Sequence, residues 1–307
     1  MTSTASTATR TTSPLTSRSV TSVTRRLLTW NRRTRRALPW RRTRDPWAIL
    51  VAELMLQQTQ ASRVVPRYEA FLAAFPTPAA CAAAGVAEVV RAWEGLGYNR
   101  RAVNLHRAAR VCVEQHAGAV PHGLAELLAL PGVGPYTARA VLAFAFEEDH
   151  GVVDTNAARL LSRAIVGEPL SAARAQQVAD EQVPPGQAWE WNQAVLDFGA
   201  TVCTKRRPRC NACPIAASCA WASTGFAGPD PVIGTAGATT GQSRFDGSDR
   251  QGRGRLVRAL RNGPVERARI PDAAGWPDDP ERAGRIADGL VVDGLAEYAD
   301  GQLALPA

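Results

Sequence analysis

Lysine is nearly absent from this chain: of 36 basic residues only Lys205 is a lysine, so chemistry needing a side-chain amine has one candidate. No aspartate or glutamate occurs before Asp45, and no histidine after His150. No apolar run approaches the roughly 18–20 residues that cross a bilayer, and residues 1–24, mostly Thr and Ser, lack the apolar core of a secretion signal. These absences argue against a membrane protein and predict a soluble, cytoplasmic one with no membrane partner. Cysteine is scarce and unevenly placed. Of six, four crowd into residues 203–219, while Cys81 and Cys112 lie in Ala- and Val-rich helical sequence. In a reducing compartment such crowding favours a metal over disulfide bridges.

What is present is enough to fold. With 307 residues, 45% hydrophobic and 21% charged, two or three compact units are expected. The net charge of +8 is concentrated at one end, because residues 1–44 carry eleven arginines and no acid, leaving the remainder near −3. A field of that kind suits an acidic partner such as nucleic acid, although basic clusters are also ordinary solvated surface.

Residues 1–24 hold fifteen Ser or Thr and few large apolar groups, which predicts a disordered tail. From 25 to 222 one helical pattern follows another, punctuated by Phe75-Pro76, Gly95-Leu96-Gly97 and Pro131-Gly132, with no convincing strand. Repeated glycine and proline make 223–243 a predicted linker. In 244–307, helical spacing over Gly254 to Arg261 and Pro280 to Val292 precedes a hairpin signal at Asp300-Gly301. Helices followed by a hairpin suggest a small winged-helix-like module. The expected fold class is all-α, with that module appended.

Leu130-Pro131-Gly132-Val133-Gly134-Pro135-Tyr136 lies between two apolar helical segments. Gly132 and Gly134 permit a tight turn, Pro135 suits a first helical position, and free N–H groups there can bind a DNA phosphate. A plain helical connection is the alternative, and the flanking pattern favours a DNA-binding helix–hairpin–helix. Cys203, Cys210, Cys213 and Cys219 follow the spacing Cys-x6-Cys-x2-Cys-x5-Cys, which suits either a structural zinc or an iron–sulfur cluster. Glu53 stands in a largely apolar helix starting near Trp47. A carboxyl buried there would have a raised pKa and could donate a proton near neutrality. Asp154, after Val152-Val153, has the placing of a helix N-cap, which does not exclude a second role.

Together these residues resemble the helix–hairpin–helix DNA glycosylases with an iron–sulfur cluster, and within them the MutY-type adenine-specific branch. The likeness runs from about Leu38 to Trp221. It rests on Leu38-Pro39-Trp40-Arg41, Glu53-Leu54-Met55-Leu56-Gln57-Gln58-Thr59-Gln60, Gly95-Leu96-Gly97-Tyr98, the hairpin, Val153-Asp154-Thr155-Asn156 and the four-Cys loop. The resemblance implies a [4Fe–4S] cluster on the four cysteines. It also implies a double-stranded DNA partner carrying adenine opposite 8-oxoguanine or guanine, and a chain working as a monomer. Glu53 would protonate the departing adenine and Asp154 would stabilise the cationic sugar, with Tyr136 assisting. Gln58 and Tyr98 would enter the duplex, Trp40, Arg41 and Leu56 would line the adenine pocket, and Gln193, where some relatives carry Glu, would also contact adenine.

Two other readings compete. In the related endonuclease III a lysine occupies the place of Tyr136 and cleaves the strand, and a glutamine stands where Glu53 does, so that branch fits poorly. A non-enzymatic iron–sulfur DNA-binding protein would need neither Glu53 nor Asp154. Many relatives also carry a Nudix-like domain that recognises 8-oxoguanine through a Phe-Ser-His element; this chain has none. Residues 25–222 are therefore expected to excise adenine alone, with Arg250, Arg253, Arg255, Arg258 and Arg261 adding affinity for phosphates.

Overall fold

The computed structural model describes residues 17–237 and 244–307, with side chains from Ser22 onward. In chain order its α-helices are α1 (Ser17–Thr34), α2 (Pro46–Leu56), α3 (Ala61–Ala74), α4 (Pro78–Ala83), α5 (Val86–Ala92), α6 (Arg100–Gln115), α7 (Leu124–Ala129) and α8 (Pro135–Ala145). There follow α9 (Thr155–Leu160), α10 (Ala172–Gln182), α11 (Ala188–Thr201), α12 (Ala220–Ser223), α13 (Asp249–Asn262), α14 (Ile270–Ala274) and α15 (Pro280–Val292). The strands of the described residues, β1 (Val265–Glu266), β2 (Glu297–Ala299) and β3 (Gln302–Ala304), all lie near the C-terminus. The chain forms two units. One combines the segment up to Arg35 with 153–184 and 190–239, and the other combines 36–152, 185–189 and 240–307.

In the second unit α2 is the central element. Asp45 caps it by accepting hydrogen bonds from the Trp47 and Ala48 amides, Pro46 opens it, and Trp47 to Met55 are all buried. A helix buried all round can only sit inside a bundle, and α2 packs on α3, α6 and α8. Its single acid, Glu53, is carried into that interior.

The first unit closes around a core that takes Val23 and Leu27 from α1, Leu160 from α9, and Trp191 and Phe198 from α11. The tail expected through residue 24 lies outside the described residues as far as residue 16. From Ser17 on the expectation fails: the chain is helical, and Val23 and Leu27, one turn apart, supply an apolar stripe that repays the ordering. The predicted linker is also corrected as far as Ala236. Asp230 pairs with buried Arg163, the Leu170 amide donates to Thr235 Oγ1 at 3.1 Å, and the Ala236 amide donates to the Leu170 carbonyl at 2.9 Å. Residues 238–243 lie outside the description.

The C-terminal segment runs α13–β1–α14–α15–β2–β3, with an antiparallel sheet in the order β1–β3–β2, which is a winged-helix topology. Asp300 and Gly301, both with positive φ, form the two-residue turn between β2 and β3, as the sequence predicts. Strand β1 and helix α14 are too short to leave a periodic signal. The expected row of phosphate-binding arginines is corrected in part. Arg253 pairs with Asp293, and Arg261 donates to the Val90 carbonyl at 3.2 Å and to Asn99 Oδ1 at 2.9 Å, so both serve packing.

Candidate active site

Glu53 is 4% exposed, three residues before the end of α2. Half-buried Leu56 follows, then Gln58 at the surface with φ of 56°, a left-handed value that costs a non-glycine residue energy. Tyr98, ending the Gly95-Leu96-Gly97-Tyr98 turn, is exposed and also left-handed, with φ of 46°. One buried side chain binds both segments. Arg101 Nη1 donates to the carbonyls of Leu54 and Met55, each at 2.8 Å, and to that of Gln57. Its Nη2 donates to Thr59 Oγ1 at 3.0 Å and to the Gly97 carbonyl at 2.9 Å, and its Nε to the Tyr98 carbonyl at 3.3 Å. Burial lowers its pKa to about 10, which leaves it charged at neutral pH. Sequence reasoning missed Arg101; the signal was its place one turn after the Gly-rich turn, inside an otherwise apolar helical face.

The hairpin is tied to the same end of α2. Gln57 Nε2 donates to the Gly132 carbonyl at 3.4 Å and to Thr137 Oγ1 at 3.2 Å. Gly132 has φ of 79°, and a Cβ there would stand 2.8 Å from Asn104 Cβ, so glycine is required by the fold. Gly134 differs. Its φ of −99° is ordinary and a Cβ would meet nothing within 4 Å, so the turn itself does not demand glycine. Pro135 begins α8, and half-buried Tyr136 follows in its first turn. Trp40 is buried, edge-on to Tyr68 with centroids 5.5 Å apart, and Arg41 Nη1 donates to the Arg36 carbonyl at 3.1 Å.

The other expected residues belong to the first unit. Asp154 caps α9: Oδ1 accepts from the Asn156 amide at 2.8 Å and the Ala157 amide at 2.7 Å, and Oδ2 from Asn156 Nδ2 at 2.7 Å. Burial raises its pKa, against the pull of those hydrogen bonds and of Arg159. Gln193 is buried on α11. Asn156 Oδ1 accepts from Arg159 Nη2 at 2.7 Å, and Arg159 Nε donates to the Cys203 carbonyl at 2.7 Å. A continuous hydrogen-bonded path thus leads from Asp154 to the first cysteine.

Cys203, Cys210, Cys213 and Cys219 all line one cavity, walled by Leu160, Phe198, Ile215 and Trp221. Among the described residues no three His, Cys, Asp or Glu side chains are gathered at a point that could hold a metal ion. Arg163 Nη1 approaches Cys203 Sγ at 3.6 Å and donates to the Thr204 carbonyl at 2.8 Å. Burial raises the Cys203, Cys213 and Cys219 thiols, Cys213 to about 11, so thiolates there need a compensating positive charge. Four cysteines lining one cavity are compatible with a thiolate-held metal group, an iron–sulfur cluster included.

Residues 51–185 match the HhH-GPD superfamily of base excision DNA repair proteins. The adenine DNA glycosylase of Mycolicibacterium smegmatis is 45% identical over 286 residues, spanning 91% of this chain and 94% of that protein. The human adenine DNA glycosylase is 42% identical over 208 residues, 63% of this chain and 38% of the human protein. A thermostable thymine-DNA glycosylase superposes with a TM-score of 0.64 at 29% identity, over 69% of this chain and all of the other. Endonuclease III in a trapped complex with DNA shares the fold at 22% identity, with a TM-score of 0.60, over 69% of this chain and all of the other.

Proposed function

The chain belongs to the adenine DNA glycosylases of the HhH-GPD base excision repair superfamily, and from that premise we propose that it removes adenine mispaired with 8-oxoguanine or guanine by hydrolysis alone, leaving the strand uncut. Its reaction breaks the N-glycosidic bond of adenine in DNA. The observation that carries the finer reading is a buried carboxylic acid, Glu53, on a helix with no other charge, beside a hairpin that bears Tyr136 where a lyase has lysine.

Adenine leaves poorly as an anion. Glu53, in its acid form, donates a proton to adenine N7, so the base departs neutral and the sugar becomes oxocarbenium-like. Asp154 offers that cation a carboxylate held in place by Asn156 and two α9 amides. Water completes hydrolysis, and Tyr136 assists near the scissile bond. Extruding the base costs a few kcal/mol, least at a mispair. Gln58 and Tyr98, on backbones fixed by Arg101, are the wedges that keep it out, with Trp40, Arg41, Leu56 and Gln193 at the adenine. The N–H groups around Gly132 and Gly134 bind phosphate.

Cys203, Cys210, Cys213 and Cys219 would hold a [4Fe–4S] cluster, which when bound cross-links the loop bearing Lys205, Arg206, Arg207 and Arg209 into a basic surface for the DNA backbone. What supports a cluster over a single zinc is the likeness of the Cys spacing to that of the iron–sulfur glycosylases, and the one cavity that the four cysteines line is compatible with it. No helix among the described residues is long and apolar enough to cross a membrane. We read the chain as a cytoplasmic monomer.

The test is release of adenine from duplexes with adenine opposite 8-oxoguanine or guanine. Free adenine and an alkali-labile but uncut strand are expected, with no borohydride-trapped complex on abasic DNA. A trapped complex mapped to Lys205 would establish a lyase instead.

A further inference from the structure

The winged-helix module grips the run Tyr98-Asn99-Arg100 at each residue. Arg250 Nη1 donates to the Tyr98 hydroxyl at 3.4 Å, Arg261 Nη2 to Asn99 Oδ1 at 2.9 Å, and Arg100 Nη1 pairs with Asp293 at 3.2 Å. The Ala87 amide adds a bond to the Pro306 carbonyl at 3.2 Å. The start of α13 is thus fixed beside a residue read as a duplex wedge.

The turn before α13 is built rather than loose. The Gly247 amide donates to Gln251 Oε1 at 2.9 Å, and Ser248 Oγ donates to the Phe245 carbonyl. Arg282 donates to Asp249 Oδ1 and to the Gly247 carbonyl, each at 2.8 Å, while lying 3.9 Å over the Trp276 ring. Yet this secured turn leaves the Phe245 ring 53% exposed, with Arg250 5.9 Å from its centroid. Tyr98, 43% exposed, completes a row of ring, guanidinium and ring across module and bundle. An exposed aromatic on a held turn is a stacking surface for a base, and a guanidinium beside it can donate to a carbonyl oxygen of that base. Helix α15, the element a winged helix commonly presents to DNA, is a poor competitor here. Its Arg282 is engaged, and Glu281 and Asp288 offset its charge.

We propose that Phe245 and Arg250, with Tyr98, read the base opposite the extruded adenine, and that the ligand they select is 8-oxoguanine in duplex DNA. Relative to guanine that base carries a carbonyl oxygen at C8, an acceptor guanine lacks and one Arg250 N–H can reach, and a proton on N7 that removes the O6/N7 acceptor pair of guanine, while Phe245 stacks on the purine or its neighbour. This rests on the adenine glycosylase reading above and deepens it. It goes beyond the expectation that the C-terminal segment mainly adds duplex affinity.

The test uses the full chain and its Phe245→Ala, Phe245→Tyr and Arg250→Gln variants. Affinity is measured for duplexes with 8-oxoguanine or guanine opposite a tetrahydrofuran abasic analogue, and single-turnover excision for adenine opposite each base. Phe245→Ala and Arg250→Gln are expected to lower the 8-oxoguanine to guanine ratio about tenfold in both assays, and Phe245→Tyr to retain it. A ratio unchanged in both variants overturns the proposal, whether or not total affinity falls, as does a wild-type chain with no preference. A wild-type chain that prefers 8-oxoguanine in binding yet releases no adenine would defeat the glycosylase reading and leave the reader in place.

Discussion

A guanidinium has five N–H donors in a fixed fork, and Arg101 spends them on carbonyls at the end of α2 and in the turn before Tyr98. Lysine has three donors on a flexible stem and cannot span both segments. Arg101→Lys is therefore expected to loosen the left-handed backbones of Gln58 and Tyr98 and to lower base extrusion about tenfold. Fluorescence of a 2-aminopurine placed beside the mispair reads that step; an unchanged signal from folded variant would make Arg101 a packing residue only. In the proposed mechanism Glu53 acts at the next step. Glu53→Gln should keep duplex affinity and lose roughly 10²–10⁴-fold in single-turnover excision, the usual worth of a general acid. In the same proposal Asp154 must be ionised to meet a cation. Burial raises its pKa, so the active form is lost as pH falls through a value above that of a free aspartate, about 3.9. A rate profile whose acid limb lies at or below that free value would contradict this, and Asp154→Asn should lose most activity at every pH.

Elements show where sequence reading works and where it stops. The hairpin was legible because Gly, Pro and apolar flanks each have a local reason to be there. Structure separates its two glycines, however: Gly132 is demanded by its φ and by Asn104, Gly134 by neither. Gly132→Ala should cost about 1–3 kcal/mol of stability through backbone strain. Gly134→Ala should melt almost as wild type and, if the proposed phosphate contact is made there, bind duplex more weakly because its Cβ would crowd the amides. Equal duplex affinity for Gly134→Ala and wild type would remove the phosphate role. Buried Arg101, Arg159 and Arg163 were not legible, because an arginine in a basic chain looks like surface until its acceptors are known. Those acceptors are mainly backbone carbonyls, which no sequence pattern displays. For the same reason Val23 and the segment from Asp230 to Ala236 lay in stretches that looked unstructured: their partners lie far along the chain.

At the scale of the whole molecule, the place where the chain is cut decides what fails. Ending it at Ala222 removes Asp230, which forms an ion pair with Arg163, a side chain 2% exposed. Arg163 also donates to the Thr204 and Lys205 carbonyls and approaches Cys203 Sγ. Breaking a buried pair by deleting one partner costs about 3–5 kcal/mol, because the remaining charge stays buried. A chain ending at Gly237 keeps that pair and loses only the winged-helix module, with the Arg261 and Asp293 contacts to Asn99 and Arg100. The part-buried Arg261 bond to Asn99 contributes roughly 1.5–3 kcal/mol and the exposed Arg100–Asp293 pair under about 1 kcal/mol, so this cut still destabilises the bundle. The two chains should nevertheless differ in metal. Purified without oxygen, the chain ending at Gly237 is expected to be brown, with about four iron and four sulfide per chain by the stoichiometry of a [4Fe–4S] group. The chain ending at Ala222 is expected to carry much less of both, and Asp230→Asn in the full chain to sit between them. Equal iron in all three would show that the Arg163–Asp230 pair does not brace the cysteine loop, and zinc without sulfide in the full chain would overturn the cluster itself.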